Sequence, residues 1–516
     1  MNVRLLSIPV VIAIIPASIA FGQPGNAALQ QLVDAGATAN ARNFYMARNY
    51  ELGWTKENDI DELVTAIRTI DIDGLEPENY NLRQLEHFAG DTTDAQLDLA
   101  LTEAFFQLAH DLYQGQADPE KLFPGDWDAC VQPADYVGLL QDALNNGSIC
   151  ETLDFIRPMD NGYEGLKYML SKFREIALKS GFPEVGVGVS INPGDLDDRM
   201  VAIRTRLFIL GLIPEGLVDE SVKYDSLLIY AVQKFQRQHD VWPDGIIGPR
   251  TQQALAWSAE DYIETIVVNL ERYRWHQSRM AGRSIKINIP TAKLTLANND
   301  STELEMKVII GRSDRRTPVL SSVLTMITVN PTWTIPPTIL REDVLPAIIV
   351  DKGYLAGHNI RVLNNKGIEL NADSLPWSAI NPSKFPYTLR EDPGPRNPLG
   401  LVKFSFPNDH SVYLHDTNMP SLFANADRAL SSGCIRLESP MALARILIEG
   451  SGWTEDKVRE EIKRGETKFV LLRNSLPIHI TYFTANVTNG ELLIARDIYR
   501  YDRIVLNALR ACKPRL

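Results

Sequence analysis

The segment SVYLHDT, followed closely by SSGCIR, constrains this chain more than any other stretch of it. Its alternation sets Val412 and Leu414 on one face of a strand and Tyr413 and His415 on the other. One face can join a core while the imidazole points into a cleft. Nineteen positions beyond His415 stands Cys434, approached through Ser431, Ser432 and Gly433. These small residues read as a tight turn where the backbone can come close to a substrate carbonyl. A thiol is a good nucleophile only as the thiolate, so a catalytic cysteine needs a base or a positive environment. Cys434 is the candidate nucleophile and His415 the candidate base. The amides of Gly433 and Cys434 suit an oxyanion hole. The competing reading is a buried structural thiol beside a satisfied core histidine.

A His, fifteen residues, then Ser-Ser-Gly-Cys-Ile-Arg resembles the signature of the L,D-transpeptidases, whose catalytic domain has the YkuD fold. The family pattern usually carries His before the Gly, where this chain has Ser432. The large YcbB-like subclass is similar in having two serines there. The resemblance implies that the base is the upstream histidine, His415. It also implies that the ring is oriented by the backbone carbonyl of Asp416, whose carboxylate need not be a triad member. Papain-like enzymes place Cys before His, the reverse of this order, and no caspase signature occurs. Tyr413 is a candidate to line the cleft. Arg436 can hold the turn through a salt bridge or bind a substrate carboxylate. Ser431 and Ser432 read chiefly as turn-formers, with Ser432 also a substrate-binding candidate.

The first residues, MNVRLLSIPVVIAIIPASIAFGQ, join Arg4, an apolar run and small residues. This pattern is that of a secretory signal peptide over 1–22, cleaved after Ala20 or Gly22. The expected location is the periplasm, with membrane contact only if the leader stays uncleaved. The net charge of −13 argues against a nucleic-acid partner. Of four cysteines, Cys130 and Cys150 could close a local loop in an oxidising compartment, Cys434 must stay free, and Cys512 has no evident role.

At 516 residues there is room for about three domains. Residues 23–190 read as mostly helical, with Leu97, Leu101, Phe105, Leu108 and Leu112 at helical spacing and Leu166, Leu170, Phe173 and Ala177 repeating the pattern. The DGLEPENY and DLYQGQADP turns resemble the scaffold domain of the YcbB-like subclass. The Gly- and Pro-rich FPEVGVGVSINPGD reads as a linker. In 195–257, Asp225 can cap a helix carrying Leu228, Val232 and Phe235 inward. The string AVQKFQRQHDVWPDGIIGPRTQQAL resembles the small peptidoglycan-binding domain; a spacer is the plainer alternative. From about Ala259 the character turns to β, in a catalytic region spanning 259–475. Residues 330–400 form a long insertion rich in Pro and Gly. By resemblance it caps the cleft, making Trp333, Tyr387 and Asn397 candidates to line the substrate groove. Residues 476–516 read as a C-terminal hairpin, turned at Asn489-Gly490, and a helix.

The expected fold is a multidomain α+β protein: a helical scaffold domain, a three-helix peptidoglycan-binding module, and a mostly-β YkuD-like catalytic domain with a capping insertion. The resemblance implies acyl transfer on peptidoglycan. Cys434 would attack the diaminopimelate carbonyl of a tetrapeptide stem, release D-alanine, and pass the acyl group to the amine of a second diaminopimelate as a 3→3 cross-link. It also implies a thiol that carbapenems acylate. No metal or cofactor is expected, and the partners are stem peptides and glycan strands, with other cell-wall enzymes open. Thioester hydrolysis, D-amino-acid exchange or lipoprotein attachment would use the same residues. A wall-binding protein with a decayed site is the alternative of another class.

Overall fold

The structure, a computed structural model, describes residues 26–88, 93–128, 133–276, 282–299 and 301–511. The leader assigned to 1–22, Cys130 with its pairing to Cys150, and Cys512 lie outside the described residues. No described helix is long and apolar enough to cross a membrane.

Helices between Ala27 and Ile156 enclose one apolar core that includes Phe44, Leu63, Leu101, Phe105 and Leu112. Its central helix, Ala95–Gln114, starts at Asp94, whose carboxylate accepts the amides of Gln96 and Leu97. The expected leucine stripe of that helix is buried throughout. The second stripe has a different destination. Helix Asn161–Leu178 packs against helix Ala259–His276 and the C-terminal hairpin, in a core of their own.

Two readings of the sequence are corrected here. The expected linker is part of the small module: Val185 and Ile191 are buried in its core, and Ile191 pairs with Ile247. Val185 and Ile191 have apolar surface to lose there, while Val187 and Val189 stay exposed. The change to β at Ala259 is also displaced, because Ala259–His276 is a long helix. It is buried on almost every side, so no polar face marks its period. Its charges are paired inside the protein, Arg274 with Glu271 and Arg272 with Asp502.

The module holds three helices, Arg199–Ile209, Ser226–Gln238 and Pro249–Leu255. Asp225 caps the second as expected, accepting from Leu227 and Leu228, and Leu228, Val232 and Phe235 face the core.

The β region contributes, in chain order, β1 (Arg283–Asn288), β2 (Lys293–Asn298), β3 (Ser301–Gly311) and β4 (Leu320–Val329). Within the insertion come β5 (Trp333–Thr334), β6 (Ile360–Leu363), β7 (Glu369–Leu370) and β8 (Thr388–Glu391). After it follow β9 (Val402–Ser405), β10 (Leu414–His415), β11 (Ala429–Ser431), β12 (Ile435–Leu437) and β13 (Lys468–Thr481). The main sheet has nine strands in the order β11-β3-β12-β10-β9-β4-β13-β1-β2, and a further β2–β3 pairing closes it on itself. The closed ring runs through the eight strands from β3 round to β2, leaving β11 as an edge on β3, and puts Ile287, Leu294, Val308, Ile327, Phe404, Leu414 and Ile435 inside. The boundary expected at 475/476 falls inside β13, where its pairing with β4 shifts register between Leu471 and Leu476. The hairpin β14 (Ala485–Thr488) and β15 (Glu491–Ile494) turns at Asn489-Gly490, both with positive φ.

Residues 330–400 are a folded subdomain. The four-stranded sheet β5-β8-β6-β7 packs on short helices between Pro337 and Gly357, around Leu340, Val344, Ile348, Leu355, Val362 and Leu389.

Candidate active site

The sheet order assembles one polar face from strands far apart in sequence. β10 lies between β9 and β12, with His415 abreast of Lys403 on one side and Arg436 on the other. Leu414 pairs with Ile435, which sets Tyr413 beside Cys434. The alternation holds: Val412 and Leu414 are buried in the barrel, and Tyr413, His415, Lys403 and Arg436 share the opposite face.

His415 is 4% exposed, and its Nδ1 lies 2.5 Å from the Asp416 carbonyl oxygen. A carbonyl can only accept, so Nδ1 carries the hydrogen and Nε2 keeps its lone pair for proton exchange. The Asp416 carboxylate is used elsewhere, accepting the Leu401 amide at 2.8 Å. Burial, then the Arg436 charge, pulls the imidazole down to about 3. The ring is therefore neutral at physiological pH.

Cys434 is half-buried, its sulfur 3.9 Å from the Ser411 carbonyl oxygen. Burial pushes the thiol above its ordinary range, opposed by hydrogen bonds from the Tyr413 amide and hydroxyl and by the charges of Lys403 and Arg436. Tyr413 stands between base and nucleophile: its ring centroid is 5.6 Å from that of His415, and its hydroxyl reaches both the Cys434 sulfur and Trp333. Among the described residues no hydrogen bond joins His415 to Cys434 directly. Lys403 Nζ sits 3.9 Å from the Tyr413 ring centroid, and burial lowers the affinity of the amine for its proton. Lys403 was missed in sequence. Its signal was available in LVKFSFP, where it alternates with Val402 and Phe404.

The turn before Cys434 is held from both sides. Ser431 Oγ donates to the Cys434 carbonyl at 2.6 Å and accepts the Gly433 amide at 3.2 Å, so it is a turn-former as expected. The second bond corrects the oxyanion-hole reading, since the Gly433 N–H is already committed. The Cys434 N–H donates to no group among the described residues. Gly433 has φ +112°, and a Cβ there would lie 3.1 Å from the Arg316 carbonyl oxygen, so glycine is required. Its own carbonyl accepts from Thr317 Oγ1 at 2.7 Å, which in turn accepts the Gly311 amide at 2.8 Å. Tyr499, beyond the hairpin, closes the network: its hydroxyl accepts the Thr317 amide at 3.0 Å and donates to the Gly311 carbonyl at 2.6 Å.

The remaining candidates divide. Arg436 makes no salt bridge among the described residues, and its Nε is buried without a partner, so the turn-holding role is not realised. Ser432 is exposed and its Oγ accepts from Arg315, which also binds Glu342 and Asp343 of the subdomain. Trp333 reaches the site through Tyr413. One groove assignment is corrected. Asn397 is 1% exposed, and its amide bonds to the backbone of Pro331, Asp392 and Leu399, stapling the exit of the insertion to its entry. Tyr387 joins Trp377 and Phe385 in an aromatic cluster that lets the subdomain bury apolar area.

A closed sheet with this His and Cys face defines a class, and comparison with known sequences agrees. Residues 282–458 match the L,D-transpeptidase catalytic domain, YkuD. Residues 39–170 match the family described as "Scaffold domain", and 197–255 the one described as "Putative peptidoglycan binding domain". The chain thus carries an L,D-transpeptidase catalytic domain of the YkuD type beside a scaffold domain and a peptidoglycan-binding domain. A Haemophilus influenzae protein described as "Putative L,D-transpeptidase" is 39% identical over 219 residues, 42% of this chain and 44% of that protein. The match thus spans less than half of the relative's length. A crystal structure of an L,D-transpeptidase from Xylanimonas cellulosilytica aligns with 58% of this chain and 100% of its own at 12% identity and a TM-score of 0.19, too low to add to the argument.

Proposed function

We propose that this protein is an exported peptidoglycan L,D-transpeptidase, acting in the periplasm, that forms 3→3 cross-links through a Cys434 thioester. The observation that carries the reading is a neutral His415, its Nδ1 fixed by the Asp416 carbonyl, next in the strand to Tyr413, whose amide and hydroxyl bond the Cys434 sulfur. As Cys434 Sγ attacks the diaminopimelate carbonyl of a tetrapeptide stem, His415 Nε2 takes the thiol proton. The Cys434 N–H faces the oxygen that gains charge, and Lys403 and Arg436 offset the added negative charge. The C–N bond breaks, and terminal D-alanine leaves with the proton returned by His415. The side-chain amine of a second diaminopimelate then attacks the thioester, and the C–S bond breaks as the amide forms. Stem peptides occupy the cleft, and glycan strands are the partner of the module at 197–255.

The test is incubation of the purified protein with tetrapeptide muropeptides, resolved by mass. A dimer lacking one D-alanine, with a transient acyl mass on Cys434, is the expected result. Acyl mass followed only by tripeptide would make the protein a hydrolase, and no adduct at all would overturn the reading.

A further inference from the structure

Residues 333–391 of the subdomain make few polar contacts with the barrel. Their apolar core, around Leu340, Val344, Ile348 and Leu389, is separate from that of the closed sheet. Among the described residues, two hydrogen-bonded links join them to the barrel, and both end on the catalytic machinery. One is the bond between Trp333 and the Tyr413 hydroxyl. The other is Arg315, whose side chain is 8% exposed. Its Nη2 donates to Glu342 at 2.7 Å and to Asp343 Oδ1 at 3.0 Å, and its Nη1 donates to Asp343 Oδ2 at 2.5 Å. The same Nη1 donates at 3.1 Å to Ser432 Oγ, two residues before Cys434. One nitrogen thus spans the subdomain and the turn. Both acids belong to a π-helical turn, Leu340–Val344, a conformation frequent at functional sites. The backbone that carries Arg315 is fixed. Arg316 Nη1 binds Asp126 of the helical domain at 2.9 Å, and Thr317 holds the Gly433 carbonyl. Arg315 therefore cannot follow the subdomain when it lifts, and the fork to Glu342 and Asp343 must open.

We propose that Arg315 is a positioning residue that couples the seating of the subdomain to the nucleophile: with Glu342 and Asp343 in place it holds Ser432, and the turn then directs the Cys434 N–H at the substrate oxygen. This inference rests on the transpeptidase reading. Ser432 stands between Ser431, whose Oγ bonds the Gly433 amide and the Cys434 carbonyl, and Gly433, whose positive φ sets the turn. A shift of Ser432 reaches Cys434 through a single residue. Without the two carboxylates the guanidinium swings toward water on its flexible stem, and Ser432 loses its partner. The same movement withdraws Trp333 from the Tyr413 hydroxyl, which bonds the Cys434 sulfur. Both links to Cys434 are therefore made together, when the subdomain comes down on a bound stem peptide and commits it to reaction.

The experiment follows two reactions of Cys434 in the full chain by mass: acylation by a tetrapeptide muropeptide, which needs the amide of the turn, and alkylation by iodoacetamide, which does not. Arg315→Met should lower the ratio of acylation to alkylation by about 10- to 100-fold, the worth of one hydrogen bond to a charged group. Ser432→Ala, and Glu342→Gln joined to Asp343→Asn, should each lower it in the same direction. Added to Arg315→Met, neither should lower it further, because groups that act as one chain are not additive. Arg315→Lys, which keeps the charge but not the fork, should restore part of the ratio. An unchanged ratio in a folded Arg315→Met variant, or losses that multiply as independent effects, overturns the coupling. Failure of the wild type to acylate, while iodoacetamide still labels Cys434, overturns the transpeptidase reading instead. Should Arg315→Met not fold, an unchanged ratio on joining Glu342→Gln to Asp343→Asn, at two half-exposed side chains, overturns the proposal.

Discussion

Thr317 Oγ1 donates to the Gly433 carbonyl, tying the turn that carries Cys434 to the end of β3. The same oxygen accepts the Gly311 amide, so one hydroxyl satisfies two buried backbone groups. Thr317→Val keeps the shape and leaves both unpaired, which should destabilise the protein by about 2–4 kcal/mol. Acylation should slow further than the lost stability explains, because the Cys434 amide loses its fixed direction. Urea unfolding alongside stopped-flow acylation separates the two effects.

Cys434→Ala should abolish turnover while leaving the fold intact, since the turn is held by backbone and Ser431 bonds that the sulfur does not make. A carbapenem should add one mass to the wild type, on the peptide containing Cys434. An adduct on another cysteine, or turnover by a folded alanine variant, would remove the assigned nucleophile.

His415→Ala should reduce the acylation rate by about 10²–10⁴-fold, the usual worth of a general base. Asp416→Asn should stay within about tenfold of wild type, because the backbone carbonyl on Nδ1 remains and an amide oxygen can still accept the Leu401 N–H. Equal damage from the two substitutions would give the Asp416 side chain a catalytic part.

The pH dependence has two signs. His415 is held down to about 3, so its neutral form contributes stability that is complete above about 6.5 and lost as pH falls toward 3. The acid limb of acylation should accordingly lie below the ordinary histidine range. Glu391 is shifted the other way, from 4.5 to about 7, so the folded state favours its protonated form and loses stability as pH rises through that window. Glu391→Gln should leave melting unchanged near pH 4 and raise stability above pH 7, by at most about 2–3 kcal/mol. Melting curves across pH 4–9 measure it.

The candidates His415 and Cys434 were legible in the sequence because the information was local. Alternation around His415 and the small residues before Cys434 are each contained in a few positions. What remained hidden came from other strands. Lys403 is set beside His415 by the neighbouring of β9 and β10, and Thr317 and Tyr499 reach Gly433 through β3 and a segment past the hairpin. Asn397 misled for a related reason: loops rich in Pro and Gly suggest a groove, and here the residue staples a folded subdomain. The helix Ala259–His276 was obscured by burial on nearly all sides, which erases the polar face that periodicity detects.

Deleting residues 195–257 should weaken retention on isolated sacculi more than activity on short soluble stems, because tethering raises local substrate concentration without changing the chemical barrier. The module has its own core, yet Lys234 pairs with Glu491 and His239 with Tyr262, so a melting curve of the deletion variant must accompany the assay.

Tyr499 carries a consequence for the order of maturation. The turn presenting Cys434 is completed by a hydroxyl 65 residues later in the chain, so the thiol cannot take its final position while that segment is still being made. A centre that finishes last stays silent on the nascent chain, and begins work only once the whole polypeptide has been released to fold.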